Sequence, residues 1–243
     1  MNEFPFSLNP NEAMESLTPK INGVMVAVVT DNKDPENLAR VKLKLPLREG
    51  ETETDWTRIA TLMAGKDRGT LFIPEVGDEV LVAFHLGEAR QPYVIGTLWN
   101  KKDPSPEGKN DKNDVRKFKS RSGHELIFDD NDAEGKITVK TQKGQIVELL
   151  DKESSVTIAD SSGNHSIVIQ GGSANEIKIK SSTSVITMNA KGDIQIESSK
   201  QITVKSTQVN IEATASLALK GSASVDIKSD GVVNIKGSLV KIN

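Results

Sequence analysis

From Ser184 to Asn243 the chain repeats one short phrase, apolar–x–apolar, at nearly constant spacing. Ile186-Thr187-Met188 is followed by Ile194-Gln195-Ile196, Ile202-Thr203-Val204, Val209-Asn210-Ile211, Leu217-Ala218-Leu219, Val225-Asp226-Ile227, Val233-Asn234-Ile235 and Val240-Lys241-Ile242. Their first residues lie 8, 8, 7, 8, 8, 8 and 7 apart. Internal periodicity of this kind signals a stacked, solenoid-like architecture. Period-2 alternation puts the two apolar side chains of each phrase on one strand face and the middle residue on the other. The four or five residues between phrases finish a strand and turn a corner, and none leaves room for a helix. A one-residue slip inside a strand would turn its apolar pair to solvent. The two spacings of 7 must therefore be absorbed in corners, at 205–208 and 236–239.

The tail is thus expected to be a β-prism of short strands around a thin aliphatic core. Its inward residues are Ile186, Met188, Ile194, Ile196, Ile202, Val204, Val209, Ile211, Leu217, Leu219, Val225, Ile227, Val233 and Ile235. Three such strands complete a layer whether one chain or three supply them, so the period leaves both a single-chain β-helix and a trimer open.

The rest of the composition changes abruptly along the chain. All nine aromatic residues and all nine prolines fall in the first 128 of 243 positions. Strand ladders cannot spare the N–H that proline lacks, and a narrow core has no space for rings. A globular domain followed by a filamentous one is the consequence. Cysteine is absent, so no disulfide framework or thiolate chemistry is available. The net charge of −3 gives no reason to expect a polyanionic partner. No apolar run reaches the ~20 residues that cross a bilayer, and 1–19 lacks the pattern of a signal peptide, so synthesis in the cytoplasm is expected.

In chain order, 1–19 reads as an extended arm whose Phe4 and Phe6 are candidate anchors on a neighbour. Residues 20–100 carry strand-like runs at Gly23–Val29, Ala39–Leu45, Thr57–Met63, Gly69–Ile73, Glu79–Phe84 and Tyr93–Leu98, divided by turns such as Asp31-Asn32-Lys33-Asp34-Pro35 and Pro74-Glu75-Val76-Gly77-Asp78. Short antiparallel strands over this length suggest a small barrel of the OB type. It holds 10 Lys and Arg against 12 Asp and Glu, which disfavours a phosphate-binding surface. Its aromatics Trp56, Phe72, Phe84, Tyr93 and Trp99 are expected in the barrel core. Residues 101–119 read as a solvated linker. Residues 120–183 repeat the tail phrase at looser spacings of 9 to 11, as a neck of irregular β-helix strands, and 184–243 form the regular octads.

Chemistry-bearing patterns are sparse. His85, His124 and His165 lack metal-ligand spacing. Asp129-Asp130-Asn131-Asp132 lacks the glycine and terminal glutamate of an EF-hand loop. The tail carboxylates are interleaved with lysines, as on a solvated face, and no isolated pair suits glycosidic chemistry. No active site, metal or cofactor is expected.

Three runs resemble a known family: Phe72-Ile73-Pro74-Glu75-Val76-Gly77-Asp78-Glu79-Val80-Leu81-Val82-Ala83-Phe84, Gln91-Pro92-Tyr93-Val94-Ile95-Gly96-Thr97-Leu98-Trp99-Asn100, and Lys119-Ser120-Arg121-Ser122-Gly123-His124-Glu125-Leu126. They are similar to the OB-fold and neck of VgrG-type proteins and of phage baseplate assembly protein V, and Asn32-Lys33-Asp34-Pro35 and Met63-Ala64-Gly65-Lys66 fit the same pattern. The resemblance implies an all-β chain, an OB-fold followed by an intertwined trimeric β-helix. Its role would be the central spike of a phage tail, a type VI secretion system or an extracellular contractile particle, driven through a target envelope. It implies a homotrimer; the slightly acidic barrel separately argues against a nucleic-acid partner. A separate hub protein would meet the N-terminal end, where Phe4 and Phe6 lie. A PAAR-repeat tip protein would sit on Leu239, Val240, Lys241, Ile242 and Asn243. Two other readings compete. A single-chain β-helix enzyme acting on polysaccharide would need a catalytic cluster and sugar platforms. An OB-fold module binding oligosaccharide or nucleic acid on a fibrous stalk would need a basic barrel.

Overall fold

The computed structural model describes residues 20–46, 53–108 and 111–242. Phe4, Phe6 and Asn243 lie outside the described residues.

Seven strands make the first unit: β1 Val24–Asp31, β2 Lys42–Lys44, β3 Arg58–Ile59, β4 Ala64–Gly65, β5 Arg68–Gly69, β6 Glu79–Phe84 and β7 Pro92–Leu98. Five of them form one sheet in the order β2-β1-β6-β7-β3. The neighbours are antiparallel except β3, which runs parallel to β7. Val41 and Thr57 then exchange backbone hydrogen bonds of 3.0 and 2.7 Å, which joins the two outer strands and closes the sheet into a barrel. Among the described residues, this bridge covers the edge that the sheet would otherwise leave open. Strands β4 and β5 form a small hairpin of their own.

Alternation fills the barrel. Val80, Val82 and Phe84 of β6 point in, as do Ala27 and Val29 of β1, with Val41, Leu43 and Val94 completing the core. That core is aliphatic, which corrects the expectation for the aromatics. Only Phe84 is buried; Phe72 and Trp99 are 70% and 73% exposed, and Trp56 and Tyr93 are half-buried. Short β-branched strands already fill the interior, so the rings sit at the rim. Trp56 lies there beneath the Lys42 ammonium, 5.4 Å from the ring centre.

One buried carboxylate shapes the β1–β2 connection. Asp34 accepts backbone N–H bonds from Glu36, Leu38 and Arg40 at 3.1, 3.0 and 3.3 Å, and Arg40 Nε and Nη2 each donate to it at 2.8 Å. The Arg40 fork is the chief cause holding the Asp34 carboxyl well below the usual carboxylate range. This clamp retains Asn37 and Ala39 at φ of 55° and 57°, which non-glycine residues seldom adopt. Asn32 Nδ2 donates to the Pro74 carbonyl at 3.1 Å and ties the loop to the turn before β6.

The second unit is a nine-stranded antiparallel meander: β8 Val115–Lys119, β9 Glu125–Asp129, β10 Lys136–Lys140, β11 Ile146–Leu150, β12 Ser155–Ala159, β13 His165–Gln170, β14 Glu176–Ser181, β15 Ser184–Asn189 and β16 Ile194–Glu197. Each strand pairs with the next, because the connecting loops are too short for a crossover. The sheet begins inside the stretch read as linker and runs past Ser184 without a break. The corner read between Met188 and Ile194 is a hairpin loop. Asn189 Oδ1 accepts from the N–H groups of Lys191 and Asp193 at 3.0 and 3.1 Å, and Gly192 adopts φ of 89°, so the chain reverses there. Residues 198–242 form no strand, and all of them but the half-buried Ser198 are exposed.

Candidate functional site

Strand register in the meander sorts its side chains with unusual strictness. Down one face run two columns. The first is Phe118, Leu126, Val139, Val147, Ile158, Ile167, Ile179, Ile186 and Ile196. The second is Arg116, Phe128, Ile137, Leu149, Val156, Ile169, Ile177, Met188 and Ile194. Every apolar–x–apolar phrase from β9 to β16 lands both its apolar residues on this face. The opposite face is mixed: Lys117, Glu125, Lys136, Glu148, Thr157, Lys178 and Gln195 share it with Ile127, Ile146, Leu150, Val168 and Val185. Ion pairs lace that face, including Lys117 with Glu107 at 2.6 Å and Lys178 with Glu176 at 2.9 Å. Glu107 is the main cause raising the Lys117 ammonium above its usual range.

Among the described residues, nothing covers the apolar face below its first row. Ile158 and Ile169 remain 46% and 47% exposed, and Ile194 at the far end is 69% exposed. Contiguous apolar surface of this length marks an interface. Of the residues read as inward, Ile186, Met188, Ile194 and Ile196 come together on the last two rows. Ile202, Val204, Val209, Ile211, Leu217, Leu219, Val225, Ile227, Val233 and Ile235 lie singly along an extended, exposed backbone and are not brought together within one chain. Leu239, Val240 and Ile242 are likewise exposed. The register also brings together, above β15, apolar pairs from the looser phrases between 120 and 183.

At its upper end the face meets the barrel. The Phe72 ring stacks on Phe118 with centroids 6.3 Å apart, and Arg121 Nη1 pairs with Glu75 Oε1 at 3.0 Å. The chain enters the barrel at its other end, where the Ile21 N–H bonds the Gly87 carbonyl at 2.9 Å beyond the last residue of β6.

Elsewhere the surface holds little chemistry. A groove of about 440 Å³ lies between Leu38, Ile59, Met63 and Ile73, and Arg68 is its one ionisable lining residue. His124 Nδ1 accepts the Gln142 N–H at 3.3 Å, and His165 Nδ1 sits 3.0 Å from the Ser181 hydroxyl, both in turn-supporting positions. Among the described residues no three His, Cys, Asp or Glu side chains converge as metal ligands would.

Residues 25–99, which span the barrel from β1 through β7, match the family model of the type VI secretion system/phage-baseplate injector OB domain. The barrel is of the OB type. The chain carrying it is similar to VgrG-type spike proteins. It is 30% identical over 138 residues to the type VI secretion system spike protein VgrG3 of Vibrio cholerae, a match covering 51% of this chain and 14% of that protein. It is 25% identical over 237 residues to spike protein VgrG1a of Pseudomonas aeruginosa, covering 90% of this chain and 36% of the relative. Spike protein VgrG2a of the same organism is 33% identical over 129 residues, covering 48% of this chain and 15% of the relative. The chain therefore spans between 14% and 36% of the length of these three proteins. The VgrG1a match is long enough to take in both the barrel and most of the chain that follows it.

Proposed function

We propose that three copies of this chain form the central spike of a contractile injection machine, with no catalytic role. The observation that carries this reading is the uncovered apolar face of the β8–β16 sheet. Three such sheets, faces inward, enclose six columns and leave the mixed faces to water. Burying each aliphatic side chain that a lone chain leaves half-exposed contributes on the order of 1 kcal/mol. The tail supports the same arrangement. Residues 198–242 keep the octad phrases yet have no strand partner among the described residues, so strands from other chains would give their backbone N–H and C=O groups ladder partners in place of water. The shaft then has two parts: a prism with one meander per side, and a distal segment in which three tails wind together.

Several partners follow from this arrangement. The barrel end where the chain enters lies opposite the shaft and suits a baseplate hub, which Phe4 and Phe6 would anchor. Leu239 to Asn243 at the distal end suit a tip protein of the PAAR type. Within the particle the spike transmits axial force into ladders that close around the prism, and it is carried into or through a target envelope. Nine rows of sheet and six further phrases, at ~4.8 Å per row, give a shaft of roughly 70 Å. Small-angle X-ray scattering tests the reading: a rod of that length with three barrels at one end is expected, and the profile of a barrel trailing a flexible thread would refute it.

A further inference from the structure

Arg116 breaks the pattern of the apolar face. It occupies the first row of the second column, directly across the ladder from Phe128 and two residues from Phe118, both of which face the same way. Every other position in the two columns is apolar, and neither column contains a carboxylate. The Arg116 guanidinium bonds only carbonyl oxygens among its assigned contacts, donating from Nη1 to Asn113 O and, at 3.3 Å, to Val115 O. Those bonds hold the exposed side chain against the start of β8 without neutralising it. The Phe72 ring stacks on Phe118, two residues along the same strand and on the same face.

Resting on the trimeric reading, we propose that the three Arg116 side chains form an oxyanion site on the shaft axis, at its first row below the barrels. Three guanidinium groups brought together on an inward face repel one another, and charges removed from water need a counter-charge. A tetrahedral oxyanion of the phosphate class supplies it. It offers several acceptor atoms to guanidinium forks, which pair with such groups bidentately. It also fits the symmetry, since one axial ligand serves three identical donors. The site would fasten the top of the shaft while leaving the rows below wholly apolar.

The test uses the full chain and inorganic phosphate as probe. Trimer mass is established first, by light scattering. Thermal unfolding is then followed from about 1 to about 100 mM phosphate at constant ionic strength, for the parent and for Arg116→Met. The expected parent melting temperature rises steadily with phosphate and does not rise with chloride. Arg116→Met, which replaces a charge by an apolar chain of similar length, should melt higher than the parent without phosphate and show no phosphate response. Arg116→Lys should stay trimeric and respond more weakly. An equal phosphate response in parent and Arg116→Met, or none in the parent, would overturn the site. So would an Arg116→Met trimer melting below the parent at every phosphate level, which would assign Arg116 to holding the Asn113 turn or to a carboxylate of a neighbouring copy. A parent lacking trimer mass would remove the underlying reading, and the site with it.

Discussion

Phe72, on the loop that follows β5, lies in a stacked contact with Phe118 of β8, the ring planes 19° apart. Phe118 heads one of the two apolar columns, so this pair joins the barrel directly to the apolar face of the meander. A stacked aromatic pair contributes about 0.5–1.5 kcal/mol beyond simple burial. The Arg121–Glu75 ion pair beside it is largely solvent-exposed and contributes less than about 1 kcal/mol, falling with salt. A double-mutant cycle of Phe72→Ala and Phe118→Ala, read by urea denaturation, should give a coupling of about 1 kcal/mol. Arg121→Gln should cost less, and its cost should vanish at high salt. Zero coupling between the rings would make the contact incidental.

Face assignment in the meander is tested by neighbours. Ile179 and Lys178 are adjacent in β14 but point to opposite sides of the sheet. Ile179→Asp would place three unpaired carboxylates inside the prism and should abolish assembly, since buried unpaired charge costs several kcal/mol. Lys178→Gln removes only a partly exposed ion pair with Glu176 and should change stability by less than about 1 kcal/mol. Gel-filtration profiles of the two variants decide the matter. Equal assembly of both would reject the inward assignment.

The same logic extends to the tail. Ile227→Asp, in a phrase that has no partner within the chain, should prevent assembly of the distal shaft, whereas Asn234→Asp at a middle position should be tolerated. Protease sensitivity beyond residue 197 reports the difference: a lost trimer leaves the tail open to digestion. Unchanged protection in Ile227→Asp would place that residue outside the core.

Asp34 makes the barrel pH-dependent. Its carboxyl is held well below the ordinary range, chiefly by the Arg40 side chain and further by the N–H groups of Glu36, Arg40 and Leu38, with burial opposing them. A depressed folded-state pKa gives stability that is full above the unfolded value of about 4 and is lost as pH falls through the folded-state value. Asp34→Asn should therefore melt lower than the parent at pH 7, with the gap shrinking as pH falls below about 4. A gap that stays constant down to strongly acidic pH would contradict the clamp.

Removal of residues 239–243 should abolish binding of a PAAR-type tip protein while leaving the trimer mass, less the deleted residues, intact. Retained tip binding in a pull-down would move that contact elsewhere.

Much of this architecture was legible in the sequence, for identifiable reasons. Alternation in Glu79–Phe84 marks the barrel strand, and the phrase Ile186-Thr187-Met188 marks a face, because period-2 patterning survives any arrangement of strands. Patterning does not say how a strand is connected to the next. The reversal at Asn189 and Gly192 depends on a side chain capping its own turn, so a loop read as a corner is a hairpin. Ring placement was misjudged for a related reason. Phe72 and Trp99 follow apolar runs, yet core capacity is a three-dimensional quantity, and Val29, Val41, Val80, Val82 and Val94 had already filled it. The two columns from Phe118 to Ile179 emerge only once register is known, since their loops vary in length and hide the common spacing.

If copies of this chain cover the apolar face, its mass in solution is a multiple of one chain. Multi-angle light scattering on the purified 243-residue chain measures that directly. Three copies of the 26.3 kDa chain predict a mass of about 79 kDa; a single species at the mass of one chain would contradict the account.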